Sequence, residues 1–299
     1  MILLTGASGY VGSAVYAALK EQGVAVITAG RHSCDRFLDL SECSHSYGLF
    51  TEITVVIHCA GIAHSKGDFS AYQQINVEAC RALASAAEVA GVKQFIFMSS
   101  LNVVPAKIID PGTLASEIPK PVSPYAASKW QAEIAVSKVL SSSRCELVIL
   151  RPALVYDRTL TANLAALKKW QRLLPVSLPT EGHRSLVARP DLVALIIFLL
   201  WDSDSEYVLR NHPLAVTDGQ CYSASRIGKA LGVKTTLSLP RLLWRFILAG
   251  LAALPSHKTR GLAASLGGTY WCGETAQPFD SAVWSLERLL RSSKEEGAA

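Results

Sequence analysis

The sequence predicts an α/β protein in which helices cover a doubly wound parallel sheet. Short, continuously apolar runs alternate with longer segments whose apolar residues recur at helical spacing, and a glycine-rich turn follows the first run. Continuous apolar runs are typical of parallel strands that are buried on both faces. The predicted strands are 2–4, 24–28, 54–58, 95–98 and 147–150, and the predicted helices lie near 12–22, 72–90 and 125–141.

The first predicted strand leads into the glycine-rich turn, which has the sequence TGASGYVG. We expect Gly6 to permit a tight turn, Gly9 to let the backbone approach a pyrophosphate, and Gly12 to let the following helix pack closely on its strand. The N-terminus of that helix would then receive the phosphate charge. An ordinary glycine-rich turn is the alternative. The residues assigned here to a dinucleotide cofactor are Gly6, Ser8, Gly9, Tyr10, Val11 and Gly12.

A serine pair, a tyrosine and a lysine form the second pattern. Ser99–Ser100 ends the fourth predicted strand, and ligands of open parallel sheets bind beyond the carboxyl ends of the strands. Tyr125 and Lys129 stand one helical turn apart where a proline-containing loop gives way to a helix. Tyr16 and Lys20 have the same spacing, but they lie inside the first helix, where we expect a packing tyrosine and a solvated lysine.

These patterns resemble the extended short-chain dehydrogenase/reductase family, strongly from Met1 to about Asp157 and weakly beyond. The resemblance implies a Rossmann domain and a reaction that moves a hydride between a nicotinamide and a sugar carbon. It assigns Ser100, Tyr125 and Lys129 as catalytic residues, with Tyr125 and Lys129 also contacting the cofactor. A lysine at about 4 Å would lower the pKa of the tyrosine by at most about three units, toward working pH.

Further cofactor residues follow from the same resemblance. His58 and Ala60 would line the cofactor at the end of the third predicted strand, and a structural histidine is the alternative at position 58. Asp39 and Leu40 resemble the acidic-apolar pair that contacts adenine. Asn76 resembles the asparagine that steadies the central strands.

Arg31 bears on the choice of cofactor. It stands near the end of the second predicted strand, where an NAD enzyme would carry an acidic residue that binds the ribose hydroxyls. A guanidinium there matches a 2′-phosphate instead. The sequence therefore favours NADP(H), with NAD(H) as the alternative, unless Arg31 is only a solvated loop residue.

Beyond Arg151 the resemblance implies two discontinuous domains. The chain would return to the nucleotide-binding domain through a helix at Asp191–Trp201 and a strand at Tyr207–Leu209. The nucleotide-binding domain would comprise residues 1–155 and about 189–211, and a substrate-binding cap would comprise about 156–188 and 212–299.

Substrate contacts are predicted in both domains. Arg184 resembles an arginine that many members direct at the substrate diphosphate, and Asn163 resembles the asparagine at a helix start over the substrate. Ser100 and Asn102 would reach the substrate beside the catalytic hydroxyl. Sugar dehydratases carry an Asp-Glu pair where this chain has Leu101 and Asn102, which argues against dehydration.

Composition excludes several other classes. The chain has 299 residues and a net charge of +5, and its basic residues look scattered, so nucleic acid is not an expected partner. Seven cysteines form no close pair in sequence, which predicts reduced thiols in a cytoplasmic protein, and the histidines show no metal-ligand spacing. Met1 runs directly into a strand, so no signal peptide is expected.

The apolar segment Leu242–Leu254 is too short to span a bilayer, and it predicts a buried helix, a contact within a homodimer, or a membrane-surface patch.

Three functions remain open at this point. The first is an NADPH-dependent 4-ketoreductase that acts on a nucleotide-linked, UDP-type deoxy or N-acetyl sugar for surface polysaccharide such as O-antigen. The second is a sugar-nucleotide 4-epimerase that keeps NAD bound. The third is a non-catalytic regulator that binds a dinucleotide, although such a protein would not need Ser100, Tyr125 and Lys129.

Overall fold

The computed structural model describes most of the chain. The chain folds into two compact units. The first unit contains Met1–Pro152 and Leu192–Val216, and the second contains Ala153–Asp191 and the described residues from Thr217 onward. The assignment of the second unit to substrate binding stays a prediction. The described residues are 1–45, 48–63, 69–106, 110–160, 164–165, 168–169, 176–177, 182–201, 212–232, 237–255, 268, 270–272 and 284–290.

Strands and helices alternate through the first half of the chain. The strands are β1 Ile2–Thr5, β2 Val26–Gly30, β3 Arg36–Asp39, β4 Ser44–His45, β5 Val55–His58, β6 Gln94–Met98, β7 Glu146–Pro152, β8 Leu154–Tyr156, β9 Val176–Ser177, β10 His183–Ala188, β11 Leu214–Val216, β12 Cys221–Ser223 and β13 Leu237–Ser238. The α-helices of seven or more residues in the described ranges are α1 Tyr10–Glu21, α2 Ala79–Val89, α3 Pro124–Leu140, α4 Arg189–Trp201, α5 Ala224–Ala230 and α6 Arg241–Ala253, and a π-helical turn, Tyr72–Glu78, leads into α2. No helix among the described residues is long and apolar enough to cross a membrane.

The first unit is built on a sheet with the strand order β11-β7-β6-β5-β1-β2-β3-β4. All neighbouring pairs are parallel except β3 and β4, so seven parallel strands carry one short antiparallel strand at the edge. The predicted doubly wound fold is confirmed. Because the chain winds outward from β1 in one direction and from β5 in the other, the strand order reverses between these two strands. Ligands of such sheets bind at this switch point.

Burial explains why these segments are strands. Every residue of β1 and β6 is buried, as expected for central strands covered on both faces. Small residues on α2 and α3 allow both helices to pack closely on the sheet. The core they form includes Leu3, Val56, Cys80, Leu83, Ala84, Ala87, Phe95, Phe97, Ala132, Val136 and Ile149.

The returning segment differs in part from the prediction. Helix α4 forms as expected, and the Gln94 side-chain amide donates to the carbonyl of Leu199 to tie it to β6. The strand beside β7 is β11, which lies further along the chain than predicted. The predicted strand Tyr207–Leu209 lies outside the described residues.

The second unit contains a three-stranded sheet in the order β12-β10-β8 and a short pair of β13 with β9. Its core gathers Tyr156, Leu186, Tyr222 and Leu286. Cys221 and Cys272 form a disulfide with their Cα atoms 5.5 Å apart, so the expectation that all cysteines are reduced is wrong for this pair. The two residues are 51 positions apart in sequence, and only the fold brings them together.

Candidate active site

The glycine-rich turn excludes side chains at two positions. Gly6 has φ +73°, and a Cβ there would lie 2.7 Å from the backbone nitrogen of Ala60 in the loop after β5. A Cβ on Gly12 would lie only 2.1 Å from the carbonyl oxygen of Gly6. Gly9 precedes the first residue of α1 and makes no side-chain capping bond. The turn therefore closes tightly on β5 and presents the start of a helix, which suits a phosphate.

A cavity of about 350 Å³ lies beside this turn, at the switch point of the sheet. Its wall is formed by the turn, the loop after β2, the end of β3 and the loop after β5. The structure brings together here seven residues that the sequence assigned to the cofactor: Gly6, Ser8, Gly9, Arg31, Asp39, Leu40 and Ala60. Tyr10, Val11 and Gly12 belong to the first turns of α1, directly after it.

Local hydrogen bonds engage the two acidic side chains near the end of β2. Asp35 Oδ2 accepts from the backbone nitrogen of Thr28 at 2.7 Å and from its hydroxyl at 2.8 Å, and these bonds lower the pKa of Asp35. Asp39 Oδ1 accepts from the hydroxyl and backbone nitrogen of Ser41 at 2.6 and 2.8 Å. These bonds lower the pKa of Asp39, and the charge of nearby Arg31 lowers it further. Arg31 itself is exposed at this end of the cavity.

His58 and Asn76 hold the cavity wall from behind. The His58 ring is 1% exposed, its Nδ1 lies 2.7 Å from Thr5 Oγ1, and burial lowers its pKa to about 3. His58 is not among the residues that line the cavity, and its assignment to the cofactor stays a prediction beside the structural alternative. Asn76 exchanges two hydrogen bonds of 2.9 Å with the backbone of Ile62 and donates to Ser128 Oγ at 3.0 Å. It therefore ties the loop after β5 to α3.

The three predicted catalytic residues meet at the carboxyl end of β6. Ser100 lies just after β6, and its hydroxyl forms a hydrogen bond with Tyr125 at the start of α3. Lys129, one turn further along α3, is 6% exposed and donates from Nζ to the carbonyl of Met98 at 2.8 Å. A Cβ on Gly61 would lie 3.4 Å from this ammonium group, so Lys129 reaches the loop that forms the cavity wall.

The electrostatics of this trio differ from the expectation. Burial raises the pKa of Tyr125 above its ordinary value, and the hydrogen bond from Ser100 only partly offsets the effect. The expectation that Lys129 lowers this pKa is wrong here, because burial dominates and the ammonium group bonds to Met98 and lies 4.9 Å from the centroid of the Phe97 ring. Burial lowers the pKa of Lys129 as well.

A buried charge network supports the trio and was missed from the sequence. Glu133, one turn after Lys129, forms a bidentate ion pair with Arg151, whose Nη2 lies 2.6 Å from Glu133 Oε2. Arg151 Nη1 also donates to the carbonyls of Pro111 and Thr113 at 2.7 Å each. Ser99 donates its hydroxyl to Glu133, which agrees with the structural role expected of the first serine.

Tyr72 was also missed as a neighbour of the catalytic tyrosine. Its ring centroid lies 6.2 Å from that of Tyr125, and its hydroxyl donates to the carbonyl of Ala63 at 3.1 Å. It begins the π-helical turn, a local distortion that often accompanies functional sites. The π-helical turn points to this residue, but it is a feature of the backbone that the sequence does not show.

The predicted substrate residues are placed as follows. Asn102 is exposed, and its backbone nitrogen donates to Ser100 Oγ at 3.2 Å. Arg184 lies on β10 in the second unit, with its guanidinium 4.9 Å from the ring centroid of Tyr270, and burial lowers its pKa. Asn163 lies outside the described residues.

Comparison with known proteins decides the family. Residues 2–207 match the NAD dependent epimerase/dehydratase family. The chain belongs to this family. It is an enzyme of the extended short-chain dehydrogenase/reductase type, and its cofactor is a nicotinamide dinucleotide.

Individual members of the family align with most of the chain or with part of it. A UDP-glucose 4-epimerase of Vibrio cholerae is 30% identical over 277 residues, which cover 83% of this chain and 81% of the relative. An N-acetyl-α-D-glucosaminyl-diphospho-undecaprenol 4-epimerase of Escherichia coli O157:H7 is 29% identical over 56% of this chain and 53% of the relative. The structure of Thermus thermophilus UDP-glucose 4-epimerase with NAD superimposes with a TM-score of 0.69 at 21% identity, covering 100% of this chain and 99% of that one. This structural likeness shows the shared fold.

Proposed function

We propose that the protein is an NADPH-dependent reductase of the 4-keto group of a nucleotide-linked deoxy or N-acetyl sugar, with UDP as the nucleotide, in the synthesis of a surface polysaccharide. The proposal rests on the arrangement of charged side chains at the end of β2. Arg31 lies exposed at the cavity there, while Asp35 and Asp39 each accept local hydrogen bonds. A guanidinium at this position suits a 2′-phosphate, whereas ribose hydroxyls call for a carboxylate.

The residues of the first unit fit a dinucleotide. The glycine turn is packed so closely that a Cβ at position 6 or 12 would meet backbone atoms, and the start of α1 beside it would hold the pyrophosphate. Arg31 would hold the 2′-phosphate, and Asp39 and Leu40 would contact the adenine. When bound, the nicotinamide supplies the hydride that the protein itself lacks.

Residues of the chain bind the 4-keto oxygen of the substrate and supply the proton that it receives. Ser100 donates a hydrogen bond to the 4-keto oxygen as negative charge develops on it. Tyr125 delivers its phenolic proton to that oxygen, and its raised pKa keeps it protonated at neutral pH, the form that a reduction needs first. Lys129 is held by Met98 beside the cavity wall, where it would bind the nicotinamide ribose.

A 4-epimerase is the second candidate, and the relatives named 4-epimerase favour it. The same three residues would serve it, but Tyr125 would have to accept a proton from the sugar hydroxyl before returning one. An epimerase regenerates its oxidised cofactor in each cycle and keeps it bound, whereas a reductase consumes NADPH and must release the product. Cofactor retention therefore separates the two functions.

The experiment begins with the purified protein and no added cofactor. We expect little bound NAD after denaturation and mass analysis, and no interconversion of UDP-glucose with UDP-galactose or of their N-acetyl counterparts. NAD present at one per chain, together with cofactor-free interconversion, would establish the epimerase instead. The Tyr125→Phe protein serves as the control, because conversion that it retains at the rate of the parent protein comes from another enzyme in the preparation.

A further inference from the structure

Helix α6 of the second unit exposes apolar side chains along one face. Leu242 and Phe246 are 71% and 75% exposed, and Leu243 and Ile247 are also exposed at adjacent positions on this face. Trp244 points away from them and is 1% exposed, so the opposite side of the helix is buried. Large apolar side chains that share one exposed face indicate a site that binds another protein, a membrane or a ligand.

The dimensions of α6 limit how it could meet a lipid bilayer. Its 13 residues form a helix about 20 Å long, shorter than the hydrocarbon core of about 30 Å. A helix of this length with one apolar face lies in the plane of a membrane surface rather than across it.

The sequence on either side of the helix carries charge of one sign. Residues 219–273 contain seven lysines and arginines and no aspartate or glutamate, although the whole chain has 29 basic and 24 acidic residues. Two of the seven, Arg241 and Arg245, are exposed on α6, one turn apart, and lie along one edge of its apolar face. Basic residues beside an apolar helical face are the pattern that binds anionic lipid surfaces.

We propose that α6 docks on a membrane surface that contains anionic lipids. Its apolar face would enter the boundary between head groups and acyl chains, and Arg241 and Arg245 would pair with lipid phosphates. A second copy of the chain fits this face less well, since its α6 would bring the same two arginines to the interface and residues 219–273 hold no acidic residue to neutralise them. This inference goes beyond the proposed function and does not depend on which reaction the enzyme performs.

Flotation of the full-length protein with lipid vesicles tests the proposal. We expect binding to vesicles of phosphatidylglycerol and phosphatidylethanolamine, weak binding to phosphatidylcholine alone, and loss of binding at high salt. The double variant Leu242→Gln/Phe246→Gln should bind at least about tenfold more weakly. Arg241→Ser and Arg245→Ser should each weaken binding by about fivefold. Val89→Gln, which replaces an exposed apolar residue of α2, is the matched control and should float like the parent protein.

Two further measurements keep the result interpretable. Circular dichroism and NADPH binding should be unchanged in every variant, and the arginine variants still test the proposal if the double variant fails to fold. Equal flotation of parent and double variant would overturn the proposal. It would also be overturned by a parent protein that ignores anionic vesicles and sediments as a dimer that Leu242→Gln/Phe246→Gln dissociates, because the face would then bind a second copy.

Discussion

Replacing Gly12 with alanine should damage both stability and cofactor binding. The added Cβ would lie 2.1 Å from the carbonyl oxygen and 2.8 Å from the carbonyl carbon of Gly6, both backbone atoms. Relief of this clash requires the first turn of α1 to move by about 1 Å, and overpacking of this kind costs about 1–3 kcal/mol. Alanine regains about 1 kcal/mol over glycine within a helix, so we expect a net loss of up to about 2 kcal/mol in the free energy of unfolding.

The same displacement moves the helix start that would receive the pyrophosphate, so NADPH affinity should fall by at least about tenfold. Urea unfolding and fluorescence titration with NADPH measure the two effects. Gly30→Ala is the matched control, because Gly30 lines the same cavity but a Cβ there would meet nothing within 4 Å. If Gly12→Ala unfolds and binds NADPH like Gly30→Ala, the close-packed turn is not what shapes this site.

Three further changes test other parts of the account. Tyr125→Phe should leave NADPH affinity nearly unchanged and lower turnover by at least about a hundredfold, while Tyr16→Phe should keep near-full activity in the same kinetic assay; the reverse pattern would contradict the assignment. Arg31→Asp should reverse the preference for NADPH over NADH in parallel titrations, and a parent protein that already prefers NADH would refute this. Burial raises the pKa of Asp218 to about 6 from 3.8, so the folded state holds a proton that the unfolded state releases. The protonated carboxyl therefore contributes fully to the free energy of unfolding below about pH 4, and at most about 3 kcal/mol of this contribution is lost between about pH 4 and about pH 6. Urea unfolding of Asp218→Asn should lack this loss, and a variant with the same pH dependence of unfolding as the parent protein would contradict the assignment.

Features set by neighbouring residues could be predicted from the sequence. The strands β1, β5, β6 and β7 are continuous apolar runs, and the glycine turn and the start of α3 are marked by glycine and proline. Strand β3, Arg36–Asp39, was missed because it is short and half polar, and Leu38 is its one buried residue. The adenine-side residues at its end were nevertheless identified from their resemblance to the family.

Features set by the fold could not be predicted in this way. The pairing of Glu133 with Arg151 and the disulfide of Cys221 with Cys272 join distant parts of the chain. The pKa of Tyr125 depends on how deeply its hydroxyl is buried, which no spacing reveals. The charge asymmetry of residues 219–273 was readable, but it was overlooked because the net charge of the whole chain is modest.

The stoichiometry of NADPH consumption tests the central claim most directly. The purified protein is mixed with a UDP-4-keto-6-deoxy-N-acetylhexosamine and a limiting amount of NADPH, and both the oxidised cofactor and the sugar product are quantified. The account predicts one NADPH oxidised for each 4-hydroxy sugar formed, with turnover ending when NADPH is exhausted. Unchanged NADPH in this mixture, together with interconversion of UDP-linked 4-hydroxy sugars when these are supplied instead, would contradict it.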